Sequence, residues 1–363
     1  MKRTAMISLL WLANCAGPAP APAESNQLAV GSLPPLGKLK DLRQSSPDNA
    51  DVTSYAKSDA IYPAKSTELI ALQSPVKNQD QRGVCTIFTT TGLMEHLYIK
   101  AGMKDPSFSE QYLQWAVKVQ LGEGADAEGS DIGSNIRAIN HYGIVNEMTY
   151  PYNPNPWTGA DDPDCGPPVV DAGTDGGADG GVDGGPAAPI AYPTKCWTQG
   201  TPSDAVQTAT KYTLPAGRYL NTSDIKMEIN DHQLAVAVSI PIYYQAWNYP
   251  HNLPTNWDDY FKGIVRYPND ADKVQSEADP DGHGILIVGW DDDLEFQQVD
   301  KDDKPAVDTD GKPLMVKGYY IFKNSWGTDN LGRTNTPQPG YGYISQQYIS
   351  EYASAFVSDV PKL

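Results

Sequence analysis

From Cys85 to Lys100 apolar side chains return at helical spacing, at Phe88, Leu93 or Met94, Leu97 and Tyr98, and Gly102 follows as a stop. The period predicts a helix with Cys85 in its first turn, and Gly83 supplies the flexible turn before it. A second helical run is expected after Ser107, which stands at capping-box spacing from Glu110. Ile132, Ile136 and Ile139 mark the face of a third helix, ended by Gly143. The second half changes period. Leu234 to Ile242, Gly284 to Trp290, Gly318 to Lys323, Gly342 to Ser345 and Ser354 to Val357 read as strands. A helical half followed by a strand half makes an α+β chain, with a natural cleft where the halves meet.

Two stretches break these patterns. The aspartate and glycine tract from Asp171 to Gly185 cannot bury a core and reads as a solvated, disordered insert near 157–196. Calcium is a conceivable ligand for its aspartates, but their spacing matches neither an EF-hand loop nor a glycine-rich nonapeptide repeat. Asp300 to Lys312 reads as an exposed polar hairpin extension.

The first residues carry a basic start, Met1-Lys2-Arg3, and a short apolar run to Ala13, so residues 1–24 read as an export signal. Two cleavage readings compete. Leu12-Ala13-Asn14-Cys15 resembles a bacterial lipobox, which would leave Cys15 lipidated and the chain anchored to a membrane; the alternative cuts within Ala16 to Ala23. Either reading places the mature chain outside the cytoplasm, as an extracellular, periplasmic or cell-surface protein. Residues 25–60, rich in Pro, Ala, Ser, Asn and Asp, read as a tether or short pro-segment, and the globular domain spans 61–363. The net charge of −18, from 45 acidic against 27 basic residues, argues against a nucleic-acid partner.

The chain has four cysteines. With Cys15 in the export segment, Cys85, Cys165 and Cys196 remain, and an oxidising compartment would pair two of them. Cys165 and Cys196 flank the insert, so a bridge between them would close it at its neck and leave Cys85 as a thiol; the alternative ties Cys85 into a structural bridge.

A cysteine at a helix N-terminus meets unpaired N–H groups and the positive end of the helix dipole, which favour the nucleophilic thiolate. The bland reading of such a residue is a small buried hydrophobe. Acyl chemistry would also need a base, a group to orient it and oxyanion donors. Of the five histidines, His96 sits too far along the same helix, and His141, His232 and His251 lie on other elements. His283 opens the strand Gly284 to Trp290, where a strand end beside glycines can present a ring to a cleft. If that strand pairs with the next, Asn324 comes beside His283 to accept its Nδ1–H, and Trp326 can shield the bond. Gln79, on the loop before Cys85, could join the Cys85 N–H as an oxyanion donor.

Taken together, Pro75-Val76-Lys77-Asn78-Gln79 with Gly83-Val84-Cys85 and Phe88, Phe108-Ser109-Glu110-Gln111, Gly143-Ile144-Val145 with Glu147, Tyr150-Pro151-Tyr152, His283 with Ile287-Val288-Gly289-Trp290, and Asn324-Ser325-Trp326-Gly327 resemble the papain-like cysteine peptidases from about residue 61 onward. The resemblance implies a helical left domain, a barrel-like antiparallel right domain and an active site between them. It implies Cys85 as nucleophile, His283 as acid/base, Asn324 as orienting amide and Gln79 as oxyanion donor, acting on protein or peptide substrates without metal or cofactor. Three positions depart from the family pattern. Arg82 replaces a cysteine that usually forms a left-domain disulfide, Thr86 replaces an aromatic residue, and a substrate-facing glycine pair is blurred into Gly129-Ser130-Asp131. These departures sustain two rival readings, a binding module that has lost turnover and an acyl transfer to an amine acceptor. The sequence leaves oligomeric state and cleavage preference open.

Overall fold

The helix expected at Cys85 is present as α1 (Cys85–Lys100), and it is buried on every side from Cys85 to Tyr98 rather than along one stripe. A helix packed all round must satisfy its polar side chains internally. Thus Glu95 accepts from Lys77 Nζ at 2.7 Å and from the Phe108 N–H at 3.0 Å. His96 sits with Nδ1 3.0 Å from the Leu72 carbonyl, while Nε2 accepts the Ala235 N–H at 3.2 Å. The computed structural model describes residues 52–53, 61–125, 127–166, 192–335 and 338–363. The export segment with Cys15, most of the tether and the Asp171 to Gly185 tract lie outside the described residues.

Around α1 pack α2 (Glu110–Trp115), which continues as a π-helical turn over Ala116–Gln120, and α3 (Ile132–Tyr142). The N-cap of α2 is Ser109, whose Oγ accepts the Tyr112 N–H at 2.9 Å. This corrects the Ser107–Glu110 capping box: Glu110 is drawn away to Lys77 Nζ, 2.8 Å distant, because a buried carboxylate gains more from a cation than from a backbone N–H. Asp131 caps α3 and Gly143 ends it with φ 66°.

The second half is a mixed sheet in the order β1 (Val52–Thr53), β3 (Arg218–Leu220), β9 (Ser354–Val357), β4 (Val236–Pro241), β6 (Gly282–Gln297), β7 (Met315–Lys323), β8 (Tyr341–Ser345), β5 (Ile264–Val265). A further strand, β2 (Lys65–Ser66), pairs with β6. Two contacts, β1 with β3 and β5 with β8, are parallel, and the others are antiparallel. The end strands β1 and β5 do not pair with each other, so the barrel-like expectation reduces to an open mixed sheet. The tether contributes β1, an ordered pairing where the sequence showed no apolar period.

Long β6 joins the halves. Its first residues are buried and face α1, and a bulge at Ile287 to Gly289 lets β2 approach. Gly289 is required there, since a Cβ would fall 2.3 Å from the Ser66 carbonyl oxygen. Beyond β6 the expected single polar hairpin is two. Val299 to Pro305 and Val307 to Pro313 each close with an antiparallel bridge. In both, the leading aspartate, Asp300 or Asp308, accepts N–H bonds from residues two and four ahead at 2.8 to 3.0 Å. No helix among the described residues is long and apolar enough to cross a membrane.

Candidate active site

The loop before α1 is held by the loop after β7. Gln79 N–H donates to the Ser325 carbonyl at 2.8 Å, Gly327 N–H to the Lys77 carbonyl at 3.1 Å, and Asn78 bridges Trp326 in antiparallel fashion. Ser325 Oγ donates to Gln79 Oε1 at 2.6 Å. The two most specific sequence motifs are therefore the two sides of one short ladder, and each selects residues that the other needs. Within the turn the left-handed residue is Asp80, φ 52°, and not Gly83. Gly83 serves instead through its N–H, which donates to Glu128 Oε2 at 2.9 Å.

Pairing of β6 with β7 sets Leu286 opposite Lys323 and so brings Asn324 alongside His283. The ring nitrogen that meets Asn324 Oδ1 is Nε2, at 2.8 Å, which corrects the Nδ1 contact expected from sequence. The register of the two strands, invisible in sequence, decides which edge of the ring faces the amide. The Ser325 N–H donates to the same Oδ1 at 2.9 Å, which fixes the amide orientation. An oxygen with that role can only accept, so Nε2 carries the ring proton and Nδ1 presents a lone pair. Among the described residues Nδ1 has no hydrogen-bond partner. A neutral imidazole with a bare Nδ1 is a base.

Two indoles enclose this ring. Trp326 lies with its centroid 4.5 Å from that of His283 at 30°, and Trp247 meets the ring edge-on at 5.4 Å and 87°. Burial pushes the His283 imidazolium down to about 4, with the Asn324 bond pulling weakly the other way. Next in the chain, Gly284 packs on the start of α1: a Cβ there would fall 3.1 Å from the Thr86 Cα. The residues that follow the nucleophile and the base candidates are thus in contact. Cys85, 1 % exposed, is in no disulfide, whereas Cys165 and Cys196 are bonded at the insert neck with their Cα atoms 5.4 Å apart. Gln79, His283 and Asn324 are buried as well.

Gln79 Nε2 donates to the Arg82 carbonyl at 2.9 Å, and its own carbonyl accepts from Tyr152 Oη at 2.7 Å. Thr86 has its Oγ1 2.9 Å from Ser130 Oγ and 3.0 Å from the Ser130 carbonyl, which ties the start of α1 to the segment Gly129-Ser130-Asp131. Sequence reasoning missed Lys323 and Lys77. Lys323, pulled down to about 8 by burial, donates to the Ser74 carbonyl at 2.7 Å and to Ser74 Oγ at 2.9 Å. Lys77 joins Glu95 and Glu110, whose carboxyl burial pushes up to about 8. A period analysis gives no signal for either, since their partners are remote. His96, His141, His232 and His251 take no part in the cluster; His232 faces Glu228 and His251 faces Asp279.

Comparison with curated proteins gives no match. Among solved structures the fold is similar to xylellain, a cysteine protease from Xylella fastidiosa, at 16 % identity and TM-score 0.56, over 93 % of this chain and 97 % of that one. It is also similar to a ragweed pollen allergen, a cysteine protease solved in its proform, at 15 % identity and TM-score 0.50, over 92 % and 77 %. A third is the pair of cysteine protease and lectin-like domains from a surface-layer associated protein of Clostridium difficile, at 18 % identity and TM-score 0.50, over 92 % and 61 %. These likenesses show the fold. Residues 66–347 match the model of the papain family cysteine proteases, and with that match over most of its length the chain belongs to the papain family of cysteine peptidases.

Proposed function

We propose that this chain hydrolyses peptide bonds in proteins or peptides through a thioester on Cys85. The observation that carries the reading is the His283 ring, oriented by Asn324 through Nε2 and left with Nδ1 unpaired, in a strand whose next residue, Gly284, packs on Thr86 at the start of α1. The Cys85 thiol gives its proton to Nδ1 as the sulfur attacks the substrate carbonyl carbon. Burial favours an uncharged ring, so the imidazolium gains its compensation from the thiolate formed with it. The oxyanion is held by the Cys85 N–H and the Gln79 side-chain amide. The proton on Nδ1 then passes to the leaving amine as the C–N bond breaks. Water next gives a proton to Nδ1, attacks the thioester, and releases the acid and the restored thiol.

Export is part of the proposal: residues 1–24 form the signal, 25–60 the tether or pro-segment and 61–363 the peptidase domain. The basic start and apolar run support it, as does likeness to a surface-layer associated protein. The test is peptide-library cleavage by the purified chain, followed by an irreversible thiol-directed epoxide and mass spectrometry. Label on Cys85 with loss of cleavage is expected. Full hydrolysis by Cys85→Ala would overturn the proposal.

A further inference from the structure

Arg82, three residues before Cys85, is 1 % exposed. Its guanidinium is held from four directions. Nε donates to Glu128 Oε1 at 2.9 Å, one terminal nitrogen to Gln111 Oε1 at 2.8 Å and to the Asn153 carbonyl at 3.1 Å, and the other to the Trp197 carbonyl at 2.8 Å. The second oxygen of Glu128 accepts the N–H of Gly83, so one carboxylate grips the side chain of residue 82 and the backbone of residue 83 together. Charge-assisted, forked contacts of this kind fix position as well as energy.

What they fix is the Arg82 carbonyl. That single oxygen accepts the Gln79 side-chain amide at 2.9 Å and the Val84 N–H at 2.9 Å. The amide that would bind the oxyanion and the backbone that leads into Cys85 therefore hang on the same atom.

We infer that Arg82 and Glu128 are positioning residues for the reaction, an ion-pair clamp that sets the aim of the Gln79 amide and the Cys85 N–H at the oxyanion. The inference rests on the reading of Gln79 and Cys85 given above. Neither residue touches the reacting atoms; their effect reaches the substrate through the Arg82 carbonyl and the Gly83 N–H. The clamp does the work of a crosslink without a thiol, so reductants do not open it.

The full chain is assayed as wild type, Glu128→Ala, Glu128→Gln and Arg82→Lys. Steady-state peptide hydrolysis is expressed per site titrated with the epoxide, beside the rate of Cys85 alkylation by iodoacetamide and a thermal melt. Glu128→Ala removes the acceptor of both the Arg82 Nε–H and the Gly83 N–H, and kcat is expected to fall about ten- to a hundredfold with KM changed less than about twofold. Alkylation, which forms no oxyanion, should fall far less than kcat. A glutamine keeps one acceptor of two and should give an intermediate kcat, and Arg82→Lys, unable to span four acceptors, should resemble the alanine variant.

The clamp is overturned if kcat per titrated site matches wild type in the variants, or if hydrolysis and alkylation fall together in step with the melt. Should Glu128→Ala fail to fold, the glutamine variant decides by the same two comparisons. A wild-type chain that is alkylated but cleaves no peptide overturns the peptidase reading and the clamp with it, whereas active wild type with unaffected variants overturns the clamp alone.

Discussion

Gly284 and Thr86 meet so closely that a Cβ on the first would lie 3.1 Å from the Cα of the second. The residues one step earlier in the chain are His283 and Cys85. A methyl group at 284 meets the Thr89 side-chain oxygen at 2.9 Å and, behind it, the Thr86 backbone at 3.1 and 3.3 Å, which cannot swing aside, so it strains the packing of strand on helix. Gly284→Ala is therefore expected to lower kcat/KM at least about tenfold, by displacing the His283 strand relative to the Cys85 helix on which the proposed mechanism depends. The measurement is hydrolysis per folded molecule, with circular dichroism to show that the fold persists.

Asn324→Ala removes the oxygen that accepts both the His283 Nε2–H and the Ser325 N–H. Two buried donors lose one oxygen, at a cost of about 1–3 kcal/mol each. The ring becomes free to turn about its side-chain torsions and kcat is expected to drop about ten- to a hundredfold, with KM less affected. Steady-state kinetics on one peptide substrate would check it.

Burial pushes His96 down to about 4, which gives a pH dependence of defined sign. Above about 6.5 both folded and unfolded chains hold this ring neutral. As pH falls from about 6.5 towards about 4, the unfolded chain takes up a proton that the folded chain refuses, so the His96 contribution to stability is lost through that window. The stability difference between wild type and His96→Gln should shrink on acidification by up to about 1.4 kcal/mol per pH unit. Urea unfolding at pH 7, 6 and 5 reads it directly.

The Cys165–Cys196 bond closes a loop of sequence separation 31. On chain-entropy grounds, opening it costs about 3–4 kcal/mol. Cys165→Ser with Cys196→Ser is expected to melt earlier in equilibrium denaturation, and reductant should shift wild type towards the variant while leaving the variant where it is.

The helix at Cys85, the strands around His283 and the Asn324 contact were legible because each has a local signal: a 3.6-residue period, an apolar run between glycines, a motif at a strand end. Three features escaped for reasons that are tertiary. The polar face of α1 reads as solvent-facing because Thr86, Thr90, Glu95 and His96 alternate with apolar residues, yet their partners arrive from other elements. The ring nitrogen facing Asn324 depends on strand register. The role of Arg82 is hidden because its acceptors at 111, 128, 153 and 197 are separated from it by 29 to 115 positions.

The ladder between Gln79 and Ser325 ties residues 246 positions apart. During synthesis the amino-terminal side of that ladder waits, without its partner strand, until the ribosome has passed residue 325. A chain that stops before residue 324 therefore lacks both the acceptor of the His283 ring proton and the carboxyl-terminal side of that ladder.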